Sequence, residues 1–191
     1  MTSSAAILDF WFGSEAPQAF RAAWFEKNPA FDQEISHRFQ IEIGQALTGG
    51  LAAWEDMPRS ALALILLLDQ FPRNAYRNTP RAFSGDARGQ TVALLGLERG
   101  YDKTLTPLER FFFYLPLEHA EDLGLQERCV ELMCALEAES PAIAAAKAAD
   151  YAEKHRAIIA RFGRFPHRNE ILGRDSTLEE IEFLQEPGSS F

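Results

Sequence analysis

Apolar residues recur along most of this chain at three- and four-residue intervals, the spacing of one helix face, and strand-like alternation is nearly absent. Phe31, Ile35, Phe39, Ile43, Ala46 and Leu47 trace such a stripe. It opens behind Asn28-Pro29, a capping residue followed by proline at the first helical position, and closes at Gly49-Gly50. A short first helix is expected from Ser4 through Phe10 and Trp11 to Gly13, and a second over about Pro17–Glu26. The run Ala61–Leu68 is apolar on every face, so the helix opened by Asp56 and Pro58 belongs in the middle of the molecule. Pro72 disfavours helical geometry at Phe71, which predicts an end near Gln70.

The same punctuation continues downstream. Asp86 to about Glu98 is amphipathic and closes at Gly100. Thr106-Pro107-Leu108-Glu109 is a capping box that starts a further helix, which Pro116 should kink or break. Another runs from about Leu125 to Glu137, and a long one from Ser140-Pro141 to Gly163. Ser176-Thr177 with Glu179 and Glu180 starts a last short one, and residues 185–191 read as a loose tail. About eight helices joined by short loops, without a linker, predict an all-α single domain over residues 1–191.

A chain of 191 residues is long enough to bury roughly 70% of its unfolded surface. With 15 Phe, the core should be rich in rings, and Phe10, Trp11, Phe12, Trp24 and Phe25 are assigned to it. A net charge of −9 repels phosphate backbones, which argues against nucleic acid as a partner. The positive charges are 15 Arg against 4 Lys, and Arg is the residue whose planar fork grips carboxylate or phosphate. Cys129 and Cys134 lie about 140° apart on one helix, so two reduced core thiols and a reducing, cytoplasmic compartment are expected. Met1-Thr2-Ser3-Ser4 carries no basic signal region, and the longest apolar run, Ala61–Leu68, is far shorter than the roughly 20 residues of a membrane span.

Several polar residues stand where apolar ones would be expected. Asp69 lies one turn beyond Leu62, Ile65 and Leu66 on the most buried helix and needs a partner, with Arg73, Arg110 and Arg164 as candidates. Arg110, Tyr114, Glu118 and Glu121 fall near one helix face amid apolar residues. His155 sits on the inward stripe Tyr151, His155, Ile159 and Phe162, and Arg161, Arg164, His167, Arg168 and Arg174 crowd the corner that follows. Asp69-Gln70-Phe71-Pro72-Arg73-Asn74 is echoed by Gly163-Arg164-Phe165-Pro166-His167-Arg168-Asn169, as if two helices ended in the same way. Three readings compete. The set is an internal network of ion pairs; or it is a pocket for a small anion, in which Glu118 with His119 or His155 could act as acid and base; or it binds metal. No metal-ligand spacing is present, nor a nucleotide-binding glycine motif, nor a Gly-x-Ser-x-Gly elbow, so neither a metal nor a cofactor is expected.

Three stretches carry a family resemblance: Leu68–Asn74; Glu109-Arg110-Phe111 through Pro116-Leu117-Glu118-His119-Ala120-Glu121; and Phe162–Asn169 with Leu172-Gly173-Arg174. With the ending Glu180–Leu184, they resemble the bacterial family called domain of unknown function 924 over nearly the whole chain. The resemblance implies a right-handed superhelix of paired helices, similar to the tetratricopeptide-repeat class, and it implies no activity, cofactor or catalytic residue. Such superhelices present concave surfaces to peptides or partner proteins. The functional expectation is therefore a small anionic ligand bound by Asp69, Arg73, Arg110, Glu118, His119, His155, Arg164, His167 and Arg168, with catalysis left open. The alternative is a protein- or peptide-binding scaffold without catalysis.

Overall fold

The structure, a computed structural model, describes residues 2–13 and 20–190. Local chemistry accounts for most helix starts. Helix α1 (Ser4–Phe12) is capped by Ser3, whose Oγ accepts from the Ala6 N–H. Helix α2 (Pro29–Leu47) is capped by Asn28, which accepts from the Ala30 and Phe31 N–H groups. Helices α3 (Pro58–Ile65) and α4 (Phe71–Ala75) flank a π-helical turn, Leu66–Gln70. Helix α5 (Asp86–Glu98) follows, then α6 (Pro107–Glu118), opened by the Thr106–Glu109 capping box. Asp122 caps α7 (Leu123–Glu139). After it come α8 (Pro141–Ala145), α9 (Ala148–Phe162), α10 (Asn169–Leu172) and α11 (Leu178–Phe183), the last opened by a second capping box at Thr177–Glu180. Among the described residues the regular structure is helical throughout, with 3₁₀ turns in several connections and no strand.

Several boundaries differ from the sequence expectation, each for a stated reason. The chain does not leave the helix near Gln70. The π turn lets the Phe71 N–H reach the Leu66 carbonyl, five residues back, and the helix continues through Pro72 to Ala75. Pro72 has no N–H to offer Leu68, four residues earlier, and the backbone of Gly85 lies against that carbonyl: a Cβ on Gly85 would stand 2.1 Å from the Leu68 oxygen. Asp56 belongs to a 3₁₀ turn, Ala52–Asp56, and Met57 takes the cap position of α3. Pro116 is carried inside α6 without ending it. The long helix expected from Pro141 to Gly163 is divided by Lys147, which adopts φ 55°. With these divisions the α-helical segments outnumber the eight or so expected. The helix expected over Pro17–Glu26 lies partly outside the described residues, and its described part holds a 3₁₀ turn, Ala22–Trp24.

Helix α3 is central, packed on α1, α5 and α6, with α7 lying between α6 and α9. Ala61 through Leu68 are all buried, as their all-round apolarity requires. Trp11, Trp24, Phe39, Phe71 and Phe112 pack edge to face, tilted and, for Trp11 on Trp24, stacked around the α1 end of this core. Phe12 joins them, Phe10 is half-buried, and Phe25 is 57% exposed, outside the core assigned to it. Ile158, Ile159 and Phe165 form a second, smaller apolar cluster beneath the C-terminal corner. Both cysteines are free, and Cys129 is buried, but Cys134 is exposed rather than a core residue. Among the described residues no helix is long and apolar enough to cross a membrane.

Candidate functional site

Asp69 lies within the π turn, Leu66–Gln70. Its carboxylate is 1% exposed and fully engaged. Oδ1 lies 2.7 Å from Nδ1 of His119 and 3.1 Å from Nη1 of Arg73, and Oδ2 accepts from Nε2 of Gln70 at 2.6 Å. Burial opposes ionisation here, but the charge of Arg73 and the bond from His119 outweigh it and hold the carboxyl well below its usual range.

The two echoed segments do not end helices alike, since Phe71-Pro72-Arg73-Asn74 lies inside a continuing helix while Phe165-Pro166 follows the end of α9, but they meet at one carboxylate. Arg73 donates to both oxygens of Asp86, at 2.8 and 3.0 Å, and Arg168 donates to Oδ2 of the same residue at 3.2 Å. Asp86 sits in the first turn of α5, where the helix N-terminus favours a negative charge. The asparagines of the echo also act alike. Asn74 accepts from Arg77, which pairs with Asp32, and Asn169 accepts from Arg174, which pairs with Glu121. Glu121 in addition accepts from the Phe165 N–H at 2.8 Å, tying the second corner to the end of α6.

Arg168 is 6% exposed, its guanidinium 4.7 Å from the Phe83 ring centre and 4.4 Å from that of Phe165. Its Nε is buried without an acceptor among the described residues. Burial and the nearby Arg73 pull its pKa down to about 10, so it stays cationic at neutral pH. The His155 ring stands 6.2 Å from that of His119 and 5.6 Å from that of Phe165, and its Nδ1 donates to the Tyr151 carbonyl at 2.8 Å. The His167 ring lies tilted beside that of Phe165, 5.6 Å between centres. Burial holds both rings neutral, lowering His155 to about 3 and His167 to about 4. Glu118 lies 3.6 Å from Nδ1 of His155, with Oε2 buried and without a hydrogen-bond partner among the described residues. Burial, reinforced by the charge on Asp69, raises its carboxyl to about 8, so it is mostly protonated at neutral pH.

Seven of the nine residues expected from sequence therefore lie in one cluster: Asp69, Arg73, Glu118, His119, His155, His167 and Arg168. The other two do not reach it. Arg110, on the same stripe as Glu118 but two turns earlier, is taken by Glu139 and Tyr114, whose hydroxyl passes a hydrogen bond on to Asp102. Arg164 points away, to Glu180 at 2.7 and 2.8 Å and the Asp175 carbonyl. Neither is a partner of Asp69. Glu118 faces a histidine, and the arginine on Glu121 is Arg174. Sequence reasoning missed Asp86, which reads locally as a helix-start carboxylate, and its only signal is Gly85 before it. Among the described residues no group of three or more His, Cys, Asp or Glu is placed to hold a metal ion.

A model of the family described as bacterial protein of unknown function (DUF924) matches residues 7–188. The chain is similar to the solved structure of a protein of unknown function from Agrobacterium tumefaciens: TM-score 0.82, 39% identity, covering 95% of this chain and 96% of that one. No curated protein matches it.

Proposed function

The chain belongs to the bacterial DUF924 family, and we propose that it binds a small anion, a carboxylate or phosphate, at the cluster between its two Phe-Pro corners. The observation that carries this reading is Arg168. A guanidinium offers five N–H donors in a planar fork. Among the described residues, the one carboxylate that Arg168 touches is already engaged on both oxygens by Arg73, and the buried Nε has no acceptor. A buried polar group of this kind asks for a partner, and an anion is the partner a guanidinium accepts best. The Phe83 and Phe165 rings flank the fork, and each attracts its charge. Glu118, protonated at neutral pH, does not repel an anion there. The site also has an edge to solvent, since the side chains of Arg73, Asp86 and His119 keep 18%, 14% and 15% of their exposure.

Titration calorimetry with inorganic phosphate, sulfate, succinate and malate tests the reading. At least one should bind the wild-type chain, and Arg168→Gln should weaken it by roughly tenfold or more, the loss of one charge-assisted bond. Arg110→Gln, outside the cluster, should leave binding unchanged. Failure of all four anions to bind, or binding indifferent to Arg168→Gln, overturns the proposal.

A further inference from the structure

We infer that His119 is a general base, held by Asp69, that activates water for the hydrolysis of a small carboxylic ester. The inference is independent of anion binding at Arg168. It rests on a carboxylate–imidazole pair that the fold assembles from two distant elements. Asp69 is 1% exposed and fixed on three sides, by His119 at 2.7 Å, Gln70 at 2.6 Å and Arg73 at 3.1 Å. A carboxylate so paired with a guanidinium accepts hydrogen bonds and donates none. The contact to Nδ1 of His119 therefore places the ring proton there and leaves Nε2 with its lone pair. His119 is also the C-cap of α6, so its backbone is fixed as well. Its side chain keeps 15% of its exposure, and Nε2, which makes no hydrogen bond among the described residues, is not enclosed. Solvent water thus reaches the basic nitrogen of the pair.

A carboxylate that orients an imidazole and steadies its charged form is an arrangement by which side chains take a proton from water. The step balances within the chain, the water and the ester. As the water oxygen bonds to the acyl carbon, its proton passes to Nε2. As the bond from that carbon to the alcohol oxygen breaks, the imidazolium returns the proton to that oxygen. Acid and alcohol leave, and the ring is neutral again. Nδ1 keeps its proton throughout, and the ionised Asp69 offsets the passing charge. An acyl carbon is the electrophile that suits this pair. Phosphoryl transfer depends on cationic groups that meet the phosphate. Arg73, whose Nη1 lies on the same Asp69 oxygen as the ring, is already engaged there and by both oxygens of Asp86.

Hydrolysis of p-nitrophenyl acetate by the full chain, followed as release of nitrophenolate, tests this. His119→Gln should lose roughly 100-fold or more of the wild-type rate at neutral pH. His37→Gln, on the exposed face of α2, should lose none. In Asp69→Asn the amide donates to Nδ1 and moves the ring proton to Nε2, so the rate should fall as far although the imidazole is still present. The wild-type rate should rise with pH to a plateau, with its midpoint below 6.5, because burial and the charge of Arg73 hold the ring's pKa below its usual value. Of the groups facing the ring, Asp69, Arg73 and Arg168 stay charged and His155 neutral across that rise, so the midpoint is the ring's own. No rate above buffer, a rate proportional to hydroxide throughout, or a rate unchanged in His119→Gln overturns the inference. Where a variant does not fold, long-range proton–nitrogen NMR of the wild-type ring decides. The proton on Nδ1 with Nε2 bare is the expected result, and the proton on Nε2 overturns the inference.

Discussion

A carboxyl that keeps its proton and three imidazoles that refuse theirs lie within one cluster, and the two effects work against each other with pH. Glu118, raised from 4.5 to about 8, binds a proton in the folded chain that the unfolded chain has released. Its contribution is fully present below about pH 4.5 and is lost as pH rises through 8. His155 and His167 are lowered from 6.5 to about 3 and about 4, and His119 is lowered too. Their contribution is present above pH 6.5 and lost as pH falls toward those values. Below pH 6.5 the several histidines outweigh the one glutamate, and above it Glu118 acts alone. Thermal melts across pH should therefore show a stability maximum near pH 6.5, and Glu118→Gln should remove the alkaline decline. Each kcal/mol so relieved at alkaline pH should raise Tm by roughly 2–4 °C. A wild-type profile flat from pH 6.5 to about 9 would show that Glu118 ionises normally.

At the scale of elements, the site depends on a helix that is not regular. The π turn at Leu66–Gln70 and the missing N–H of Pro72 together open the place where Gly85 packs against the Leu68 carbonyl. That contact sets where α5 begins, and so where Asp86 meets Arg73. A methyl group on Gly85 would meet the Leu68 backbone, which cannot swing aside as a side-chain tip can. Gly85→Ala should destabilise the chain by roughly 2–3 kcal/mol or more and weaken anion binding as Asp86 shifts. Gly44→Ala is the matched control, an interior helix position with nothing within 4 Å of the added carbon. It should stabilise by about 0.5–1 kcal/mol. Denaturant melts of the two variants decide the matter, and equal effects would mean that the Gly85 contact relaxes freely.

For the whole molecule, Asp86 is the joint between two distant corners, since the arginines it holds come from α4 and from the 3₁₀ turn Pro166–Arg168. Removing it leaves two guanidiniums sharing less negative charge in a buried setting. Asp86→Ala should cost roughly 3–5 kcal/mol, and adding Arg168→Met should recover part of that loss by removing the stranded cation. Strict additivity of the two changes in denaturant unfolding would show that the corners are held by packing alone. Glu121 provides a second tie, through Arg174 and the Phe165 N–H, so the C-terminal corner is secured at two points.

What could be read along the chain was whatever depends on near neighbours. Caps at Asn28, Thr106 and Thr177, the buried stripe Ala61–Leu68 and the helical class all follow from contacts within a few residues. The repeated Phe-Pro…Arg-Asn corner was equally legible, and so was the gathering of Asp69, His119, His155 and Arg168 as candidates. Partner choice was not, because a carboxylate selects among cations by distance in space. Arg110 and Arg164 carry the same chemistry as Arg73 and Arg168, yet the fold hands them to Glu139 and Glu180. The role of Asp86 rests on one backbone packing against another, Gly85 on Leu68. That contact spans 17 residues and leaves no local trace beyond a glycine, so only the tertiary structure could decide it.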